Sequence, residues 1–187
     1  MRVHVLFFSN PDRPSPTTQT DLTLLDAAAR AQGHTLHPIF AKQCQLKFGG
    51  GKKPYVLVDF KKPHIDVLLI KANFLGADLD QHNTLIKQFE LVGIPVINNH
   101  VGVIRAKNKL RTLQILSKHK IPQPNSYVVR SADYIGDVMA DIGSYPVILK
   151  ATNGSHGLGV SIIESERGLR SIIELIVQND GVGPLII

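Results

Sequence analysis

Between two short apolar runs, Pro146-Val147-Ile148-Leu149-Lys150 and Val160-Ser161-Ile162-Ile163, lies Asn153-Gly154-Ser155-His156-Gly157-Leu158-Gly159. Three glycines within six positions restrict this stretch to a tight loop, because glycine accepts positive φ and lets another group approach the backbone closely. The flanks have strand length, so the pattern predicts a strand, a glycine loop and a returning antiparallel strand. Lys150 brings one ammonium to the end of the first strand. A loop of this kind can turn its amide N–H groups toward an anion. The spacing excludes the better-known phosphate loops: there is no GxxxxGK[ST], and a strand rather than a helix follows. An ordinary hairpin would use the same glycines.

A second basic cluster, Arg105-Ala106-Lys107-Asn108-Lys109-Leu110-Arg111, opens a segment of helical periodicity. The pattern predicts one basic amphipathic helix over residues 105–119, stopped by Ile121-Pro122-Gln123-Pro124. A solvated helix face accounts for most such charge runs.

Ahead of these features the chain reads as alternating strands and helices. Arg2 to Phe8 predicts a strand, Thr17 to Asp21 a helix start and Gly33 its stop, and Leu36 to Phe40 a second strand, which is the order of a parallel crossover. Gln45 to Pro54 reads as irregular, with Gly49-Gly50-Gly51-Lys52 as a flexible connection. Tyr55 to Phe60 and Asp66 to Ile70 predict strands, Asp80 to Leu91 a helix, and Ile94 to Ile97 another short parallel strand. Beyond the basic segment, Ser126 to Arg130, residues 146–150, 158–163 and 184–187 predict strands. Ala132 to Ile142 and Glu166 to Gln178 predict helices, so this half is α+β, a small sheet covered by helices on one face.

Asn98-Asn99, the run from Asn108 to Leu116, Ile121 to Pro124, residues 146–150 and residues 154–160 together resemble the ATP-grasp superfamily, and within it the RimK-like amino-acid (alpha-L-glutamate) ligases. The resemblance implies an α/β fold: a parallel-sheet pre-ATP-grasp domain over residues 1–104, then the small lid subdomain of an ATP-grasp domain over residues 105–187. It implies that Lys109 and Lys150 contact the phosphates of ATP, and that Gly154, Ser155, His156, Gly157 and Gly159 fold over them as a lid. Two positions depart from the family pattern. Asn108 stands where an acid is common, and Asn153 where a glutamate is frequent. The physical need for the lysines is plain, since a triphosphate carries several negative charges and an ammonium in a partly closed cleft acts through a lower dielectric than water.

The reaction implied is activation of a carboxylate by ATP to an acyl phosphate, followed by attack of an amine. Glutamate is the amino acid expected, joined to a protein or peptide acceptor. Leu185-Ile186-Ile187 reads as a strand cut short. The family resemblance then places the Mg carboxylates, an asparagine and an arginine in a C-terminal catalytic subdomain absent here, and a fragment of this extent is expected to be inactive alone.

Composition limits the alternatives. With 187 residues, 43% hydrophobic and 19% charged, the chain can bury a core without being disordered. Apolar runs are strand-length, no signal-peptide pattern opens the chain, and the lone Cys44 excludes an internal disulfide, so a cytoplasmic protein is expected. Eight dispersed histidines make no metal set, and no Ser/His/Asp or Cys/His grouping points to nucleophilic catalysis. The net charge of +6 admits a second function, a basic nucleic-acid-binding module, although stacking aromatics do not interleave with the lysines. A third is assembly, with the N-terminal half forming a homo-oligomer interface.

Overall fold

The computed structural model describes residues 1–50, 53–74, 79–153, 157, 159–178 and 183–187. Backbone contacts divide it into two units, Met1–Ile104 and Arg105–Ile187.

The first unit is built on a four-stranded parallel sheet. Its strands are β1 (Arg2–Phe7), β2 (Thr35–Phe40), β5 (Val67–Lys71) and β6 (Val96–Ile97), in the order β2-β1-β5-β6. Val3 to Phe7 are buried without a break. That continuous burial is the mark of a parallel strand covered on both faces, and it explains why the run shows no polar alternation. Helix α1 (Pro16–Ala31) begins where Ser15 Oγ accepts the Thr18 amide at 3.2 Å, with Pro16 in the first turn where its missing N–H is no loss. Helix α2 (Leu79–Leu91) contributes Leu85, Ile86 and Phe89 to a core shared with Leu6, Ile39, Leu68 and Phe74.

The stretch read as irregular contains a strand. β3 (Cys44–Lys47) pairs antiparallel with β4 (Tyr55–Val58), Cys44 opposite Val58 and Lys47 opposite Tyr55. Four residues that pair only with a neighbouring segment leave too short a pattern to be seen locally. The strand expected over 55–60 stops at Val58, because Asp59 and Phe60 both adopt left-handed backbone, φ 49° and 59°. Val58 and Lys61 exchange backbone hydrogen bonds of 2.9 and 3.0 Å across this turn. Two glutamines hold it: Gln43 Nε2 donates to Asp59 Oδ2 at 3.0 Å, and the Phe60 amide donates to Gln45 Oε1 at 2.9 Å.

The second unit is α+β. An antiparallel sheet runs in the order β7-β10-β8-β9, from β7 (Val128–Val129), β8 (Val147–Ala151), β9 (Val160–Ile163) and β10 (Leu185–Ile186). Helices α5 (Ile135–Ile142) and α6 (Glu166–Gln178) close one face, with Ile135, Leu169 and Ile173 fully buried against Val147, Leu149 and Ile163. The single helix expected over 105–119 is two, α3 (His100–Ala106) and α4 (Lys109–Lys118). Asn108 breaks it: at φ −122°, ψ 115° it caps α4, its Oδ1 accepting the Arg111 amide at 3.0 Å.

Candidate functional site

Residues 147 to 150 alternate across β8. Val147 and Leu149 face the helices and are buried, whereas Ile148 is 38% exposed and Lys150 half-buried on the opposite face. The register sets Ile148 opposite Ile162 and Lys150 opposite Val160 on β9, and Lys150 opposite Ile186 on β10. The face away from the helices therefore carries one ammonium beside an exposed apolar field of Ile148, Val160 and Ile162, with Ile186 buried next to it. Such a surface suits a ligand with an anionic part and a flat apolar part.

The start of α4 is fastened to the end of β8. The Lys109 amide donates to Thr152 O at 2.8 Å, and Asn108 and Asn153 form an antiparallel bridge. Their side chains meet too, Asn108 Nδ2 donating to Asn153 Oδ1 at 3.0 Å. Thr152 lies two residues beyond Lys150, so the backbones of the two lysines come together within roughly 7 Å of strand length. Both sit at the base of the glycine loop. The two asparagines that depart from the pattern of the resembled family are in contact with each other, a neutral amide pair where two acids would repel.

Among the described loop residues, Gly157 and Gly159 have φ of 78° and 70°. Gly159 O accepts the Ala151 amide at 2.8 Å, closing the loop on itself. A Cβ at Gly159 would lie 3.0 Å from Ala151 Cβ, so both the backbone angle and the close approach demand glycine there. Gly154, Ser155 and His156, expected to complete the flap, lie outside the described residues. Lys107, at the break between α3 and α4, is a cation that motif spacing did not single out. Burial pushes its ammonium below the usual lysine range. Its only signal in the sequence was membership of the basic cluster.

The first unit has its own feature. β1 and β5 are neighbours in the sheet while the chain leaves them toward β2 on one side and β6 on the other, and in open α/β sheets ligands seat at this switch point, outside the carboxyl ends of the strands. There Lys71 Nζ pairs with Asp21 Oδ2 at 2.9 Å, partly buried. Phe8, Phe74 and His82 cluster with ring centroids 4.5 to 4.9 Å apart.

The pieces present suit the phosphates of a nucleotide: two lysines at the base of a loop whose Gly159 position a Cβ would crowd. Among the described residues no group of three or more His, Cys, Asp or Glu side chains could hold a metal ion, so they supply no magnesium set of that size. No helix among them is long and apolar enough to cross a membrane.

Residues 106–181 match the family model of the RimK-like ATP-grasp domain. The chain is 32% identical over 152 residues to a probable alpha-L-glutamate ligase of Teredinibacter turnerae, covering 80% of this chain and 49% of that protein. A probable alpha-L-glutamate ligase of Marinomonas sp. is also 32% identical, over 149 residues, 79% of this chain and 48% of the relative. The chain thus spans about half the length of the curated relatives it matches. Among solved structures, a RimK domain ATP-grasp protein from Sphaerobacter thermophilus matches the whole chain and 62% of its own length, with TM-score 0.70 and 22% identity. D-alanine–D-alanine ligase from Bacillus anthracis matches the whole chain and 56% of its own length, with TM-score 0.64 and 20% identity.

Proposed function

We propose, for a chain whose residues 106–181 match the RimK-like ATP-grasp domain, that it forms part of an ATP-dependent carboxylate–amine ligase. Residues 1–104 are its substrate-side α/β domain, and residues 105–187 hold the phosphate tail of ATP. Lys109 and Lys150 neutralise phosphate oxygens, and the loop from Gly154 to Gly159 closes over them, adding amide donors without bulk. The chemistry matches what a protein can supply to a phosphoryl transfer, which is position and charge neutralisation. A carboxylate oxygen attacks the terminal phosphorus, ADP leaves, and an amine nitrogen then displaces phosphate to give an amide. Glutamate is the amino acid favoured by the names of the relatives, and a protein or peptide terminus the acceptor. Magnesium takes its carboxylates from outside the described residues. A cytoplasmic location, where ATP is available, goes with this function.

The observation that carries the proposal is the Lys109 amide bonded to Thr152 O, with Asn108 bridged to Asn153 beside it. Two segments far apart in sequence thereby bring one lysine each to the same glycine loop. The test is nucleotide titration followed by calorimetry. Lys150→Ala and Lys109→Ala are each expected to weaken ATP binding by about tenfold or more, a loss near 1.4 kcal/mol, with the fold kept by circular dichroism. Affinity for ATP that neither substitution changes would end this assignment. Steeply salt-dependent binding to oligonucleotide that exceeds binding to ATP would favour the nucleic-acid function instead.

A further inference from the structure

A groove of about 680 Å³ opens in the first unit at the amino edge of its parallel sheet. Three segments wall it: the approach to β4, the run into β5, and the turn between α2 and β6. Because open α/β sheets seat their ligands at the carboxyl edge, this groove is no part of the switch point beside Lys71.

Its chemistry is one-sided. Lys53, Lys62 and His64 line it, and among the described residues no aspartate or glutamate does. Lys53 and Lys62 make no ion pair among the described residues. His64 Nε2 lies 3.3 Å from Asp66 Oδ1, and the other oxygen of that carboxylate accepts the Arg2 amide at 2.6 Å, so the acid beside His64 is already engaged by that ring and a backbone amide. Between the cations the lining is apolar, with Tyr55, Ile65 and Ile94 half-buried and Val56 buried beneath. Exposed Leu91 stands at the rim.

The wall that carries Lys62 is positioned at a conformational cost. The left-handed pair Asp59 and Phe60 folds the chain back so that Lys61 to Ile65 returns beside β4, and Gln43 and Gln45 hold that turn with side-chain hydrogen bonds. Strain kept in place by dedicated contacts is a feature that clusters at ligand clamps. A free connection at this point would place Asn-Gly there, which adopts the same backbone without strain.

We infer that the groove is a binding site for a small organic anion, an acidic group carried on a flat or branched apolar body. The acidic group sits between Lys53 and Lys62, and the body lies on Tyr55, Ile65 and Ile94. The volume falls in the range of small-ligand sites, of order 300 to 1,000 Å³. None of the residues that line it is among those proposed to hold the nucleotide.

Anilinonaphthalene sulfonate, an apolar anion whose fluorescence rises on binding, is a direct probe. Titrated into the chain in the presence of ATP, it is expected to bind one site and to shift the amide resonances of Tyr55, Ile65 and Ile94. Lys53→Glu with Lys62→Glu should weaken that binding by roughly tenfold or more. Lys118→Glu with Lys120→Glu, an equal change of charge elsewhere, should leave it unaltered. Phenyl phosphate should displace the probe at roughly a tenth of the concentration that inorganic phosphate needs or less, reporting the apolar half of the site. Equal weakening by both pairs of substitutions would overturn the inference by reducing it to net charge. Displacement of the probe by ATP, or equal potency of the two phosphates, would overturn it as well.

Discussion

Asn108 performs three tasks with one side chain and its backbone. It ends α3, its Oδ1 caps α4 through the Arg111 amide, and its Nδ2 donates to Asn153. Asn108→Ala removes the cap and strands the Asn153 oxygen, and is expected to cost about 1 to 2 kcal/mol in urea unfolding. Asn108→Asp keeps an acceptor for Arg111, and Asn153 can turn its amide to donate, so stability within about 0.5 kcal/mol of the parent is expected in the same assay. Gly159 is constrained by conformation and space together, at φ 70° with Ala151 Cβ 3.0 Å from where its own would stand. Gly159→Ala should lose about 1 to 2 kcal/mol of stability for the left-handed backbone alone. On the proposed function its ATP affinity falls too, because the loop can no longer close on β8. Calorimetric titration beside thermal unfolding separates the two effects. Both asparagines were visible in the sequence as departures from the resembled pattern. That they touch was not, since they stand 45 positions apart in the chain.

At the scale of elements, α6 illustrates why apolar periodicity carries so much information. Its Leu169 and Ile173 repeat every turn and are fully buried against β8 and β9, whereas Val177 is 47% exposed. Ile173→Ala is expected to destabilise by about 2 to 5 kcal/mol, through lost transfer energy and the cavity left behind. Val177→Ala should change stability by less than about 0.5 kcal/mol. A urea series on both variants checks the contrast. The helix over Glu166 to Gln178 was legible to the residue because an amphipathic period of four turns is a local signal. β3 was not, since four residues of mixed polarity become a strand only when β4 lies alongside. The helix expected over 105–119 failed for a related reason: local propensity favours continuing through Lys107 and Asn108, but the bridge to Asn153 supplies Asn108 with a competing backbone partner.

The response of the whole molecule to pH turns on His4, buried in β1 and stacked on His37 with ring centroids 5.0 Å apart. Burial pushes its imidazole below the ordinary value of 6.5, outweighing the backbone hydrogen bond at Arg2, which acts the other way. As pH falls the unfolded chain takes up this proton before the folded one does, so stability should decline from about pH 6.5 downward and level off below the folded value. Asp66, held below its ordinary 3.8 first of all by the Arg2 amide, acts only in a more acid range. Urea midpoints from about pH 7.5 to 5.5 should therefore fall for the parent, and His4→Gln should flatten that slope. A parent midpoint that rises on acidification would contradict the sign.

The sequence by itself determined the type and order of most elements and the antiparallel turn about the glycine loop. These are short-range properties: period, flank length and the freedom of glycine are all expressed within a dozen residues. Tertiary structure alone decided that β10 inserts between β7 and β8, that Asn108 and Lys109 are fastened to Thr152 and Asn153, and that Lys53 and Lys62 face one groove. Each of those depends on closing a loop between distant segments, and the energy that repays the closure comes from burial and backbone pairing spread over both partners, which neither segment carries in its own residues.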